Sequence, residues 1–360
     1  MSQEWLDRSR KIREGEGLDL AKLETYLKEQ KPEWTGSLEL EQFPSGHSNL
    51  TYLLRIGDVE LVLRRPPFGA KKIKKGHDMG REYRMLSHLV DSYGRVPKPH
   101  LMCEDESIIG APFYLMERVQ GIIIRSRLPK GMTLTAEQMN SISTASIDNL
   151  ADIHGIDIQA AGLSEFGKPE GYIQRQVEGW TRRYLKAKTD EVPEIEKVAK
   201  WLADNMPEKE GAAVIHNDYK YDNLVLDPND LGKIIAVLDW EMATIGDPLM
   251  DLGTTLGYWI DPNDHEELLM LPLTFTQPGN LTRREVVERY ADRSGQDLSG
   301  ILFHYVYALF KIAGILQQIY LRYKQGDTQD PRFAAFGYVV QLFGKIADRA
   351  IEKNRIDDLW

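Results

Sequence analysis

Residues 1–31 are strongly charged, with Leu18, Leu20, Leu23, Tyr26 and Leu27 at helical spacing, a pattern that predicts an amphipathic leading helix. From Leu38 the period changes. Short apolar runs at Leu38–Phe43, Leu50–Ile56 and Val59–Leu63, with Gly57-Asp58 between the last two, predict strands and a hairpin. A helix is expected over Gly80–Leu89, and Val96-Pro97-Lys98-Pro99 breaks the chain before strands at His100–Cys103 and Phe113–Val119. Helical periodicity returns at Thr135–Gly155 and within Pro169–Lys186, where Tyr172, Gln176 and Trp180 lie four apart on one face. The runs Ala213–Ile215, Leu224–Leu226 and Ile234–Leu238 are short, rich in β-branched residues and bounded by polar residues, and they read as strands of one buried sheet. Three further helices, Thr282–Ser294, Gly300–Gln325 and Asp330–Lys353, are expected to close the chain.

The chemistry concentrates between Ala212 and Gly253, where each apolar run ends at a carboxylate or amide. His216-Asn217-Asp218 follows the first run, with Lys220 and Asn223 close behind, and Asp239-Trp240-Glu241 follows the third. Phosphoryl transfer needs a carboxylate to orient a hydroxyl and take its proton, and hard oxygen ligands to hold Mg²⁺ against phosphates. Asp218 suits the first task, while Asn223, five residues on, and Asp239 suit the second; this is the catalytic-loop spacing of kinases. Lys220 can offset charge on the transferring group. A plain polar turn is the bland alternative, but it does not account for base, cation, amide and strand-end Asp in this order.

Upstream, Ser45-Gly46-His47-Ser48-Asn49 between two strands is a candidate phosphate cover, because N–H groups of a glycine-containing turn can point at an anion. Alone, such a loop reads as an ordinary hairpin turn. Arg64 ends the strand that carries a phosphate-binding lysine in kinases, and Glu82 on the next helix is its assigned partner. Met116, Glu117 and Val119 fall where a backbone edge would hold the purine. The run Lys71-Lys72-Ile73-Lys74-Lys75 reads as a solvated loop. Arg175 and Trp180 on one helix, with Glu241 and Trp259, are candidate acceptor-binding residues, although an aromatic stripe at helical spacing is more often core.

Composition narrows the classes. In 360 residues, 45 basic against 55 acidic side chains give a net charge of −10, which disfavours a nucleic-acid partner. The single cysteine, Cys103, excludes an internal disulfide and fits a reducing, cytoplasmic setting. No stretch reaches the about 20 apolar residues of a membrane span, and the first residues, MSQEWLDRSRK, lack a signal-peptide core.

These motifs together resemble the aminoglycoside phosphotransferase and choline kinase-like superfamily, and most nearly the phosphotransferases similar to the kinase-like domain fused to acyl-CoA dehydrogenases. The likeness rests on Ser45 to Asn49, Leu63-Arg64-Arg65-Pro66-Pro67, His77-Asp78-Met79 with Arg81-Glu82, Arg175-Gln176 with Trp180, His216 to Asn223, Asp239-Trp240-Glu241, Gly246-Asp247-Pro248 and Asp251-Leu252-Gly253. It implies an α+β, two-lobed protein-kinase-like fold: residues 1–118 as an antiparallel sheet plus helix, and 119–360 as a larger, mainly helical lobe. It also implies ATP as donor, Mg²⁺ at Asn223 and Asp239, Asp218 as base and a small-molecule hydroxyl as acceptor. Asn217 replaces the glycine common before the base, and Arg64 replaces the lysine of the antibiotic-modifying members. The cations make a hydroxyacyl thioester or other anionic metabolite the expected acceptor, with an aminoglycoside or amino alcohol as alternative. A catalytically silent nucleotide or metabolite sensor is the competing reading.

Overall fold

The computed structural model describes residues 3–44, 49–69, 78–271, 275–328 and 330–360. The Ser45–Ser48 part of the expected phosphate cover, the Lys71–Lys75 run and His77 lie outside the described residues. Along the chain come α1 (Leu20–Gln30), β1 (Leu38–Gln42), β2 (Leu50–Ile56), β3 (Val59–Arg65) and α2 (Met79–Ser92). Then follow β4 (Pro99–Cys103), α3 (Glu106–Ile109), β5 (Phe113–Glu117), α4 (Ala136–His154), α5 (Tyr172–Ala187) and α6 (Pro193–Asp204). After these come β6 (Ala213–Ile215), β7 (Leu224–Asp227), β8 (Asp230–Val237), β9 (Thr244–Gly246) and α7 (Pro248–Tyr258). The chain ends with α8 (Glu266–Leu269), α9 (Arg283–Ser294), α10 (Ile301–Lys324) and α11 (Phe336–Lys353).

Packing divides the chain into two compact units. The first holds residues 1–123, 160–162 and 224–243, and the second holds 124–159, 163–223 and 244–360. The first five strands, all in the first unit, form an antiparallel sheet in the order β1-β2-β3-β5-β4, so β3 is central, with Arg64 opposite Thr51 on one side and Tyr114 on the other. Asp19 caps α1 through the Lys22 N–H, and Leu23 and Leu27, one turn apart, are buried against the sheet. Asp78 caps α2 in the same way, through the Arg81 N–H at 2.8 Å. Met79, Glu82, Met85, Leu86 and Leu89 form the buried face of α2, so a carboxylate sits on a stripe that is otherwise apolar.

The segment 224–243 belongs by packing to this first unit, whereas the boundary expected from sequence lay at 118/119. The physical reason is local. Ile122 is bridged to Leu226, Ile123 packs with Val225 and Ala236, and Gly121 lies so near Val225 and the Leu226 carbonyl that a Cβ there would collide. The single buried sheet expected from the runs after Ala213 is corrected: β6 pairs with β9 and β7 with β8, in two separate two-stranded sheets. β6 and β7 each find their partner in a later strand, which apolar patterning alone does not specify.

The second unit is built on α10, whose residues are buried on nearly all sides and which packs against α11, α7 and α5. Gly253 of α7 lets that helix approach α10 closely, since a Cβ there would lie 2.5 Å from the His304 carbonyl oxygen. A capping box of Thr135 and Gln138 starts α4, where the periodicity predicts a helix. The expected helix from Asp330 instead begins as a 3₁₀ turn, Pro331–Ala335, before α11.

Candidate active site

The candidate residues fall into both units, and each half is built separately. In the second unit, β6 delivers the loop that starts at His216, and a 3₁₀ turn, Tyr221–Asn223, ends it. Asp218 is fixed at both carboxylate oxygens: Lys220 Nζ donates to Oδ1 at 2.9 Å and Asn223 Nδ2 to Oδ2 at 3.1 Å. Asn223 Nδ2 also donates to the Asp218 carbonyl at 2.8 Å, so its amide oxygen is the atom left for a ligand. His216 Nδ1 accepts the Asp218 N–H at 3.3 Å. Burial pulls the Lys220 ammonium down, but attraction to Asp218 and Tyr258 outweighs it and leaves the ammonium above its usual value. Its Nζ lies 4.8 Å from the centre of the Tyr258 ring.

The loop is braced by residues outside the expected site set. Fully buried Asp251 accepts the N–H groups of His216 and Asn217, both at 2.7 Å, and meets His154 Nε2 at 3.1 Å. Burial raises this carboxyl, yet hydrogen bonding and charge from His154 and His216 bring it below the usual value. His154 continues the network to the Tyr290 hydroxyl at 2.6 Å. Buried Lys311, from α10, donates to the Asn217 carbonyl at 3.0 Å. Asn217 has φ 67°, a left-handed conformation, which explains why glycine is suited to this position and why asparagine is accepted. Its side chain accepts a hydrogen bond from Tyr172 at 3.2 Å. The signal for Asp251 was the Asp251-Leu252-Gly253 motif, and for Lys311 a lysine within an otherwise apolar helix.

In the first unit, Arg64 and Glu82 form the ion pair assigned to them, at 2.7 Å, with both side chains buried. The guanidinium does more than this. Its Nη2 donates to Asp239 Oδ1 at 2.9 Å and reaches Glu241 at 3.5 Å, while its Nε–H is buried without an acceptor. Burial pushes the Glu82 carboxyl up against the pull of Arg64, with Asp239 pushing in the same direction as burial. Asp239 adopts φ 66°, two residues past the end of β8, and starts a 3₁₀ turn, Trp240–Met242. Buried Trp240 pins that turn by donating from Nε1 to the Val237 carbonyl at 2.9 Å and packing edge-on to Tyr93. Arg81 holds the far end through the Ala243 carbonyl at 2.6 Å. Asn49, the described end of the expected phosphate cover, donates to Glu241 at 2.6 Å. Met116 and Glu117 end β5, and the Glu117 N–H donates to the Lys98 carbonyl at 2.8 Å, with Val119 just beyond the strand in a small apolar cluster.

The remaining acceptor candidates are placed as follows. Arg175 is exposed on α5 and donates to the carbonyls of Lys168 and Glu170. Trp180 is buried, with Gly314 of α10 close beneath it and Arg183 4.5 Å from its ring centre. Trp259 is buried as well, spending its indole N–H on the Leu281 carbonyl at 2.7 Å. A cavity of about 540 Å³ in the second unit is lined by Pro169, Glu170, Ile173, Met206, Glu208 and Glu210, none of them a candidate. No helix among the described residues is long and apolar enough to cross a membrane.

The chain is 34% identical over 342 residues to mouse acyl-CoA dehydrogenase family member 10, covering 94% of this chain and 32% of that protein. It is 32% identical over 355 residues to chicken acyl-CoA dehydrogenase family member 11, covering 96% and 44%. The chain thus spans less than half the length of these relatives. Among solved structures, a Ralstonia eutropha protein provisionally named an aminoglycoside phosphotransferase superposes with a TM-score of 0.78 at 30% identity, covering 94% of this chain and 99% of that one. A thermostable mutant of aminoglycoside phosphotransferase APH(4)-Ia, solved with ADP and hygromycin B, shares the fold with a TM-score of 0.58 at 16% identity, over 91% and 98% of the two chains. Residues 39–286 match the model of the phosphotransferase enzyme family, APH, and the chain belongs to that family, with its α+β, kinase-like fold.

Proposed function

We propose that the chain is an ATP- and Mg²⁺-dependent phosphotransferase that moves the γ-phosphoryl group to a hydroxyl of a small molecule. The observation that carries this reading is Asp218, a carboxylate held at both oxygens by Lys220 and Asn223 on a loop braced through its own backbone. Such a group is oriented in advance for a hydroxyl proton, which lowers the cost of reorganisation at the moment of transfer. Asp218 takes that proton as the acceptor oxygen bonds to phosphorus and the bond to the leaving ADP oxygen breaks. Lys220 offsets charge on the equatorial oxygens, and Arg64 does so at the donor phosphates.

Each proposed ligand offers a hard oxygen suited to a divalent cation. Asn223 has its amide oxygen left over once Nδ2 is engaged, and the Asp239 side chain keeps 32% of its surface accessible. Mg²⁺ supplies neutralisation of the triphosphate when bound, with Asn223 and Asp239 as its protein ligands. Ser45 to Asn49 cover the phosphates, and Met116, Glu117 and Val119 hold the purine edge.

For the acceptor we favour an anionic hydroxylated metabolite, such as a hydroxyacyl thioester. Support comes from the exposed cations Arg175, Arg182 and Arg183 on α5 and from relatives named for acyl-CoA dehydrogenases. Trp180, Glu241 and Trp259 are secondary candidates for this role. A reducing, cytoplasmic setting fits the single cysteine.

Incubation with labelled ATP, Mg²⁺ and a panel of hydroxyacyl-CoAs, amino alcohols, sugars and aminoglycosides tests the reading. Label is expected on a hydroxyacyl-CoA. Label on aminoglycosides alone overturns the acceptor class, and Mg²⁺-dependent ATP binding without hydrolysis or transfer to any acceptor favours a silent sensor.

A further inference from the structure

The guanidinium of Arg64 is shared between two tasks that a lysine ammonium would perform differently. Its Nη1 holds Glu82 at 2.7 Å, while Nη2 lies on Asp239 at 2.9 Å and within 3.5 Å of Glu241. The fork is rigid and planar, so one guanidinium can serve Glu82 and Asp239 at once. Both anchors are buried, which fixes the group in place: Glu82 lies on the buried face of α2, and Arg64 on the central strand β3. Its Nε–H, buried and without an acceptor, marks this arrangement as incompletely satisfied. Asp239 and Glu241 both face the same Nη2 atom, and Asn49 donates to Glu241 from the other side. A divalent ion at Asp239 would interact with this carboxylate pair more strongly than a single delocalised charge already divided with Glu82.

We propose that Arg64 is an internal counter-cation that occupies Asp239 in the metal-free protein, so that the divalent ion and the Arg64 fork compete for the same carboxylate. This rests on the reading of Asp239 as a metal ligand. Metal entry then has to loosen the Arg64–Asp239 contact while the Arg64–Glu82 contact stays. Replacing the fork by an ammonium, which cannot reach both carboxylates in the same geometry, should favour the metal although the formal charge is unchanged.

The test is a titration of the full chain with Mn²⁺, followed by electron paramagnetic resonance of the free ion, for the wild type, Arg64→Lys, Arg64→Gln and Asp239→Asn, with thermal melts confirming folding. Losing one charge-assisted hydrogen bond as a competitor should tighten Mn²⁺ binding in Arg64→Lys by about fivefold, and at least as much in Arg64→Gln. Adding Asp239→Asn to Arg64→Lys should return binding to background. In the wild type, the guanidinium ¹⁵N resonances of Arg64 should shift when Mg²⁺ saturates the protein, a readout that survives if the variants do not fold. Mn²⁺ affinity equal in the wild type and Arg64→Lys but lost in Asp239→Asn overturns the competition and leaves Asp239 as a ligand. Tightening in Arg64→Gln alone also overturns it, since charge and not the fork would then be responsible. Binding that ignores Asp239→Asn in every background removes the metal-ligand reading itself.

Discussion

The Lys311 ammonium, buried in α10, donates to the carbonyl of Asn217, the residue immediately before Asp218, at 3.0 Å. Asn217 is also the residue held in a left-handed conformation, with its N–H on Asp251 at 2.7 Å. One peptide segment is therefore gripped at its N–H, its carbonyl and its side chain.

Lys311→Met should leave that carbonyl without its donor and loosen Asp218, the proposed base. Turnover is expected to fall by about tenfold or more with little change in nucleotide affinity, as for a residue that positions a catalytic group. Steady-state kinetics set beside a direct nucleotide-binding isotherm will separate the two effects.

The same lysine gives a pH signature. Burial is the largest influence on Lys311 and lowers its value from the usual 10.5, against the attraction of Asp251 and Asp218. A depressed folded-state value means that the unfolded chain binds the proton more tightly. The associated stability is complete above 10.5 and declines as pH falls through the folded-state value. Urea unfolding of the wild type, compared with Lys311→Met, should thus show a stability difference that moves in favour of the wild type as pH rises toward 10.5.

Backbone strain at position 217 predicts a sharp ordering of variants. Asn217→Gly adopts φ 67° without penalty and should lose the Tyr172 hydrogen bond, about 1 kcal/mol. Asn217→Val loses the same bond and should cost about 1–2 kcal/mol more, since a β-branched side chain clashes in that region. Chemical denaturation of the three proteins measures this, and equal midpoints would contradict the argument.

Glu82→Ala removes one partner of a buried pair and leaves Arg64 with Asp239 and, at 3.5 Å, Glu241. A destabilisation of about 3 kcal/mol is expected, larger than for Arg332→Ala at the exposed Arg332–Asp330 pair. Guanidinium unfolding midpoints compare the two.

Asp218→Ala should reduce phosphoryl transfer by about a thousandfold while nucleotide binding persists, because it removes the proposed base and no proposed donor contact. Asp239→Ala should abolish transfer and weaken Mg·ATP binding as well. Full turnover in either variant, with labelled ATP and the accepted substrate, would remove the assignment.

Much of this protein is readable without coordinates. The leading helix, the β2–β3 hairpin and α4 follow from hydrophobic period and turn residues, because those signals are carried by neighbours in the chain. The spacing from Asp218 to Asn223 is likewise local, so the contact between them could be anticipated from five residues. Tertiary packing decided the rest. It paired β6 with β9 and β7 with β8, buried Trp180 and Trp259 in the core, and turned Arg175 onto the carbonyls of its own loop. It also brought Asp251 from 35 residues away and Lys311 from 94 to the backbone of the His216–Asn223 loop. A polar residue in an apolar helix announces that it needs a partner, but which one it meets depends on how closely helices such as α7 and α10 pack, and no local period encodes that distance.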